Sequence, residues 1–188
     1  MNTPAPPSQW RSRLVLLLIV AMFFGSFGVA AFLRFTGWTP AHTRNFGQLL
    51  EPPIDVNDVS LVLADDTRWQ WKNDDRRWTA LLRLPAQCDA ECWNRAAMLP
   101  RVRMALGRHS PRLPLLLLDG TVPASERERM QPLQAARSTS ALPAPWGASA
   151  PKALPELWLV DPHGFVVLHY AEGFDPNGLR KDLGRVLK

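Results

Sequence analysis

The chain has 188 residues, 22 Lys+Arg, 17 Asp+Glu and two cysteines. That length suits one domain plus an appendage, and 46% hydrophobic with 21% charged residues argues against a wholly disordered or collagen-like chain. Two cysteines exclude a disulfide-dense scaffold and a four-cysteine zinc site, and leave one disulfide or two thiolate ligands. The net charge is +5, but Arg11, Arg13 and Arg34 supply three of these charges and flank one apolar run. The rest, about +2, is interspersed with acidic residues, so the basic footprint of a nucleic-acid binder is missing.

Residues 1–13 form a short basic tail, Pro-rich and polar over its first ten positions. Leu14 to Leu33 follows as 20 residues without a charge. As a helix it spans roughly 30 Å, the thickness of a bilayer's hydrocarbon core. A cleaved signal peptide is the alternative, but its apolar region would be shorter, and no small-x-small cleavage site follows in a polar context. Arg34-Phe35 and Gly37-Trp38 instead resemble an interfacial anchor. Arg11 and Arg13 outweigh Arg34 and favour a cytoplasmic N-terminus. The expectation is a single-pass protein of a bacterial inner membrane, with the C-terminal part in the periplasm, where disulfides form.

Residues 34–55, with Pro40, Pro52 and Pro53, read as an extended linker, and the folded domain is expected over 56–188. Val59 to Leu63 is a short β-prone run. Trp69 and Trp71 alternate with polar residues, Asn73-Asp74-Asp75 signals a turn, and Trp78 to Leu84 resumes apolar character; the pattern predicts a hairpin. Ala90 to Leu106 carries helical periodicity that Pro100 should kink, with Gly107 beyond its end. Leu113 to Leu118 is a continuous apolar run, the mark of a strand covered on both faces. Ser125 to Ala136 suggests a short polar helix, and Ser138 to Pro151 a loop rich in Ser, Ala and Pro. Leu157 to Val160 and Phe165 to Tyr170 form a second hairpin about the turn Asp161-Pro162-His163-Gly164. Asp175 caps a last helix begun by Pro176, with Leu179, Leu183 and Leu187 on one face. The order strand, helix, strand, helix, hairpin, helix describes an α/β sandwich with the element order of the thioredoxin fold.

The two cysteines fall in one motif, Cys88-Asp89-Ala90-Glu91-Cys92, where a strand hands over to a helix. A helix N-terminus favours a thiolate, which is both the nucleophile of thiol–disulfide exchange and a soft ligand for Cu(I). Asp89 and Glu91 oppose that effect, since carboxylates disfavour a second negative charge. A bridge closing so short a loop stabilises little on chain-entropy grounds, so redox or metal chemistry and a structural disulfide both stand.

The stretch Trp78-Thr79-Ala80-Leu81-Leu82 followed by the C-x-x-x-C motif resembles the Sco-type thioredoxin-like proteins. Asn45 to Pro52 is similar to the approach segment of such anchored domains, and Leu159 to Gly164 to their terminal hairpin. The resemblance implies a membrane-anchored factor in biogenesis of the copper centre of cytochrome c oxidase. Cys88 and Cys92 would then carry thiol–disulfide exchange or Cu(I), and oxidase subunits or copper chaperones would be the partners. In that reading Cys88 attacks and Cys92 resolves. Sco-type copper binding adds a histidine shortly before the last hairpin, and no histidine lies between residues 110 and 162. Pro155 stands near that position and resembles the cis-proline that faces the cysteines in thioredoxins. The competing reading is a non-catalytic, membrane-anchored assembly or interaction module with a structural Cys88–Cys92 bridge.

Other polar residues read as structural. His42 lies in the linker, His109 beyond a helix end, His163 in a turn, and His169 on a strand facing solvent. Asp65, Asp66, Asp74 and Asp75 suit turns, and the eight tryptophans suit core and interface positions.

Overall fold

The computed structural model describes residues 9–36, 45–144, 146 and 151–187. It divides into two units, Met1–Thr43 and Arg44–Lys188. Helix α1 (Gln9–Phe35) extends the uncharged run at both ends and is long and apolar enough to cross a membrane. Pro40 and His42 lie outside the described residues.

The second unit is built on a sheet of seven strands: β1 (Gln48–Asp55), β2 (Leu61–Leu63), β3 (Thr79–Arg83), β4 (Leu115–Leu118), β5 (Gln134–Ser138), β6 (Glu156–Val160) and β7 (Phe165–Tyr170). Their order is β1-β7-β6-β3-β4-β5-β2. Strand β3 pairs parallel with β4 and antiparallel with β6, and β4 pairs parallel with β5. All of β4 is buried, as its unbroken leucines require. A parallel pair needs a crossover; here it is α2 (Ala90–Ala96), α3 (Met98–Ala105) and a 3₁₀ turn over Gly107–Arg112. The short helix α4 (Arg127–Met130) lies between β4 and β5, and α5 (Pro176–Val186) ends the fold.

Side-chain alternation splits the core in two. Ala80, Leu82, Leu115 and Leu117 belong to the cluster that also holds Leu99 of α3 and Leu179 and Leu183 of α5. Leu81, Leu116 and Leu118 belong to a second cluster, filled largely by the aromatic residues Trp71, Trp146 and Trp158. The tryptophan rings follow one another at 6.0 Å (Trp71–Trp146) and 6.4 Å (Trp146–Trp158). Within the stretch expected to be a loop, Trp146 is only 1% exposed; residues 145 and 147–150 lie outside the described set.

Several expectations change. Residues 48–55, read as part of a linker, form the edge strand β1, whose pairing with β7 skips between Leu49 and Ile54, where Pro52 and Pro53 provide no donor. Trp69 and Trp71 do not make a hairpin with β3. Their segment folds back on β2, with Trp69 N donating to Leu61 O at 2.8 Å, and Trp71 Nε1 donates to Val59 O at 2.7 Å. The helical run breaks at Ala97, before Pro100, which then sits in the first turn of α3, where its missing N–H costs nothing. The helix expected over Ser125–Ala136 shortens to α4, and its second half is β5; of that strand only Ala136 is fully buried, so polar residues conceal it. The second hairpin and the Asp175 cap agree with expectation: Asp175 accepts from the amides of Asn177 and Gly178.

One buried carboxylate joins the start of this unit to its end. Asp182 is 2% exposed, and its Oδ2 accepts from Phe46 N (2.8 Å), Gly47 N (3.0 Å) and Tyr170 Oη (2.8 Å). Its Oδ1 accepts from Arg185 at 2.8 Å. A Cβ at Gly47 would lie 2.7 Å from the Tyr170 ring, so only glycine lets the backbone reach the carboxylate. Burial, and the neighbouring Asp182, push the Tyr170 phenol well above its ordinary range, so it remains a donor. Replacing Asp182 with Ala leaves two buried donors, Gly47 N and Tyr170 Oη, and the part-buried Phe46 N without their acceptor and should cost about 3 kcal/mol or more in urea unfolding. A loss under about 1 kcal/mol would show that the clasp is not structural.

Candidate thiol-disulfide site

Strand β3 runs through the sheet centre and delivers the chain at Arg83 to the short segment that carries Cys88. Helix α2 starts two residues later, with Asp89 as its N-cap; the Asp89 Oδ1 accepts from Cys92 N at 2.9 Å. Cys92 lies on the buried face of α2 and has no exposed surface, whereas Cys88 is half-buried at the helix entry. The two are joined as a disulfide with a Cα–Cα distance of 5.2 Å, within the range the bond requires. Asp89, rather than a sulfur, thus takes the Cys92 amide at the helix N-terminus.

An open cleft of about 980 Å³ borders this motif. It is lined by Cys88, Trp93, Leu84, the turn at Asp119 after β4, and Val62 and Arg137 of β2 and β5. Accessibility makes the bridge asymmetric: Cys88 is half-buried and borders the cleft, whereas Cys92 has no exposed surface.

Pro155 is buried just before β6, and its carbonyl accepts from Gly173 N at 3.1 Å. It does not line the cleft. Among the described residues the cis peptide bonds are Glu51–Pro52 and Gln131–Pro132, so the expected cis bond at Pro155 is not there.

The donor set for copper is small. Among the described residues no group of three or more His, Cys, Asp or Glu side chains could hold a metal ion. His109 lies in the 3₁₀ turn and His163 in the β6–β7 turn. Once the bridge is reduced, the motif offers two thiolates, and among the described residues no third His, Asp or Glu side chain is grouped with them.

A polar cluster was missed in the sequence. His169 does not face solvent as expected: it pairs across the hairpin with Trp158, and the two rings stack at 3.7 Å and 18°. His169 Nε2 lies 3.4 Å from Glu156 Oε2, and Arg83 Nη1 lies 3.5 Å from Glu156 Oε1. The available signal was the strand period: Glu156 and Trp158 are two apart, on the face that His169 meets from the opposite arm. Burial pushes the Glu156 carboxyl up, but the contact with His169 and the charges of His169 and Arg83 outweigh it, leaving the group below its ordinary 4.5. A lowered folded-state pKa adds stability that is complete above the unfolded value and is lost as pH falls through the folded one. The unfolding midpoint of the wild-type chain should therefore drop more steeply below about pH 4.5 than that of Glu156→Gln; parallel curves would remove Glu156 from the acid response.

Removal of the cap gives a local test. Asp89→Ala should cost about 0.5–2 kcal/mol and speed proteolysis at α2 in the reduced protein; an unchanged stability would show that Asp89 holds nothing.

No curated protein matches the sequence. Among solved structures, the apo Sco1 protein from Thermus thermophilus superimposes with a TM-score of 0.52 at 14% identity, covering 79% of this chain and 99% of that one. Arabidopsis thaliana ScoI with copper bound gives 0.47 at 15% identity, covering 76% and 98%. BsSco, described as a member of the Sco family of cytochrome c oxidase assembly proteins with a disulfide switch, gives 0.47 at 11% identity, covering 75% of this chain and 99% of that one. Residues 78–188, from just before β3 to the C-terminus, match the family model of the transmembrane-like, thioredoxin-like C-terminal domain, and the chain belongs to that family.

Proposed function

We propose that this chain is a membrane-anchored thiol–disulfide exchange factor acting in the assembly of the copper centre of cytochrome c oxidase. The observation that carries the proposal is the asymmetric bridge: Cys88 opens to a cleft at the end of the central strands, while Cys92 is buried in α2. That arrangement gives an attackable sulfur and a protected resolving thiol, which an inert staple does not need. In the reduced direction, Cys88 attacks a partner's disulfide, forms a mixed disulfide, and is released when Cys92 attacks Cys88; the partner leaves as a dithiol.

The oxidase setting is extended from the Sco family, one of whose members is described as an oxidase assembly protein. Copper enters this reading as cargo or as the metal of the partner. Two thiolates could pass Cu(I) on, but the exchange reaction is favoured because the described residues add no third ligand to the pair. We place α1 in the bacterial inner membrane with Arg11 and Arg13 inside, and the Cys88 motif in the periplasm.

The variants separate roles. Cys92→Ser should accumulate a mixed disulfide through Cys88, and Cys88→Ser should not; both facts can be read on non-reducing gels of membranes. The Cys88→Ser, Cys92→Ser double variant should lose assembled oxidase activity by about tenfold or more at unchanged membrane level. Full activity in the double variant would support the purely structural module instead.

A further inference from the structure

The cleft reaches Cys88 from one side. It spreads from the motif over the ends of β3 and β4 and across β5 to β2, and Pro155, on the opposite flank of β3, has no part in it. Its volume of about 980 Å³ is far more than a metal ion or a small thiol occupies. Its walls combine half-buried apolar side chains, Val62, Leu84 and Trp93, with charges of both signs, Asp119 and Arg137. Arg83, another lining residue, is engaged by Glu156, so the cleft presents no concentrated charge for a small anion or cation.

We propose that this cleft binds an extended, apolar segment of the partner polypeptide that carries the reacting cysteine, so that the partner approaches over β4, β5 and β2. The inference rests on the exchange reaction proposed above. Recognition falls to side chains, because the backbone is already committed: β5 is paired on both sides, and β2 is met on its outer side by Arg68 through a bridge to Val62. With the segment seated, its thiolate attacks the Cys88 sulfur. The partner–Cys88 bond forms, the Cys88–Cys92 bond breaks, and the electron pair leaves on Cys92, which takes a proton from solvent. Apolar residues beside the partner's cysteine lie on Trp93 and Leu84, so the cleft selects by sequence around the cysteine rather than by the thiol alone.

The test uses the oxidised full-length chain in detergent with three reductants: the reduced pentapeptides Leu-Val-Cys-Leu-Val and Ser-Asn-Cys-Ser-Asn, end-capped, and dithiothreitol. Mixed-disulfide formation is followed by mass spectrometry, and each peptide rate is divided by the dithiothreitol rate. The apolar peptide should exceed the polar one by roughly tenfold in the wild type. Thr121→Trp and Ala135→Trp, at lining positions outside the cysteine motif, should each abolish most of that preference. Ala153→Trp, an exposed position beside Pro155, should keep it. Bridge opening by dithiothreitol without any peptide preference, or a preference that survives both cleft variants or is lost in Ala153→Trp, overturns the cleft as the binding surface. A wild-type bridge that neither peptide nor dithiothreitol opens overturns the exchange reaction itself, and the cleft inference falls with it.

Discussion

The parallel pairing of β3 with β4 governs the rest of the structure. Ala80, Leu81 and Leu82 lie beside Leu115, Leu116 and Leu117, and all six side chains are buried. Two strands buried on both faces need cover above and below, and a parallel pair cannot be joined by a turn. The crossover through α2 and α3 joins the pair and covers one face, while Trp71, Trp146 and Trp158 fill the other, and the first crossover helix has to begin just beyond the end of β3. That is where Cys88 and Cys92 stand. Further bonds hold the return path: Arg103 Nε donates to Leu113 O at 2.8 Å, and Arg112 Nη1 to Leu187 O at 2.7 Å. The position of the disulfide thus follows from the packing of the central strands.

The same junction sets the character of the bridge. A helix start exposes amides that could favour a thiolate, but the Asp89 carboxylate already accepts the Cys92 amide. The sequence raised a competition between the helix end and its acidic residues; the geometry gives that amide to the acid. What distinguishes the two sulfurs is their access. Cys92 is closed in by the α2 face, and Cys88 borders the cleft. Reactivity in this reading comes from exposure and from what the cleft can seat beside the exposed sulfur.

Legibility in the sequence followed burial. The uncharged run of α1, the all-leucine β4, the Asp161 to Gly164 turn and the Asp175 cap each carry a local signal that tertiary context did not override. The thioredoxin-like order and the cysteine pair at a strand-to-helix junction could be read for the same reason. Strands β1 and β5 could not. The first carries two prolines at a break in its ladder, and the second has only two small apolar residues, Ala135 and Ala136, among polar ones, because one lies at the sheet edge and the other near it. Trp146 was hidden in a Ser-, Ala- and Pro-rich stretch, although it fills the second core. His169 looked bland because its partners, Trp158 and Glu156, are cross-strand neighbours that only the hairpin register reveals. The cleft is likewise a product of topology: its walls come from β2, β3, β4 and β5, which are distant in sequence.

The central claim is that Cys88–Cys92 cycles between disulfide and dithiol. Its equilibrium reduction potential, measured on the full-length chain against glutathione or dithiothreitol buffers, tests that claim most directly. An exchanging pair should titrate above about −300 mV, and a value well below that would mark the bridge as a structural staple and contradict the account.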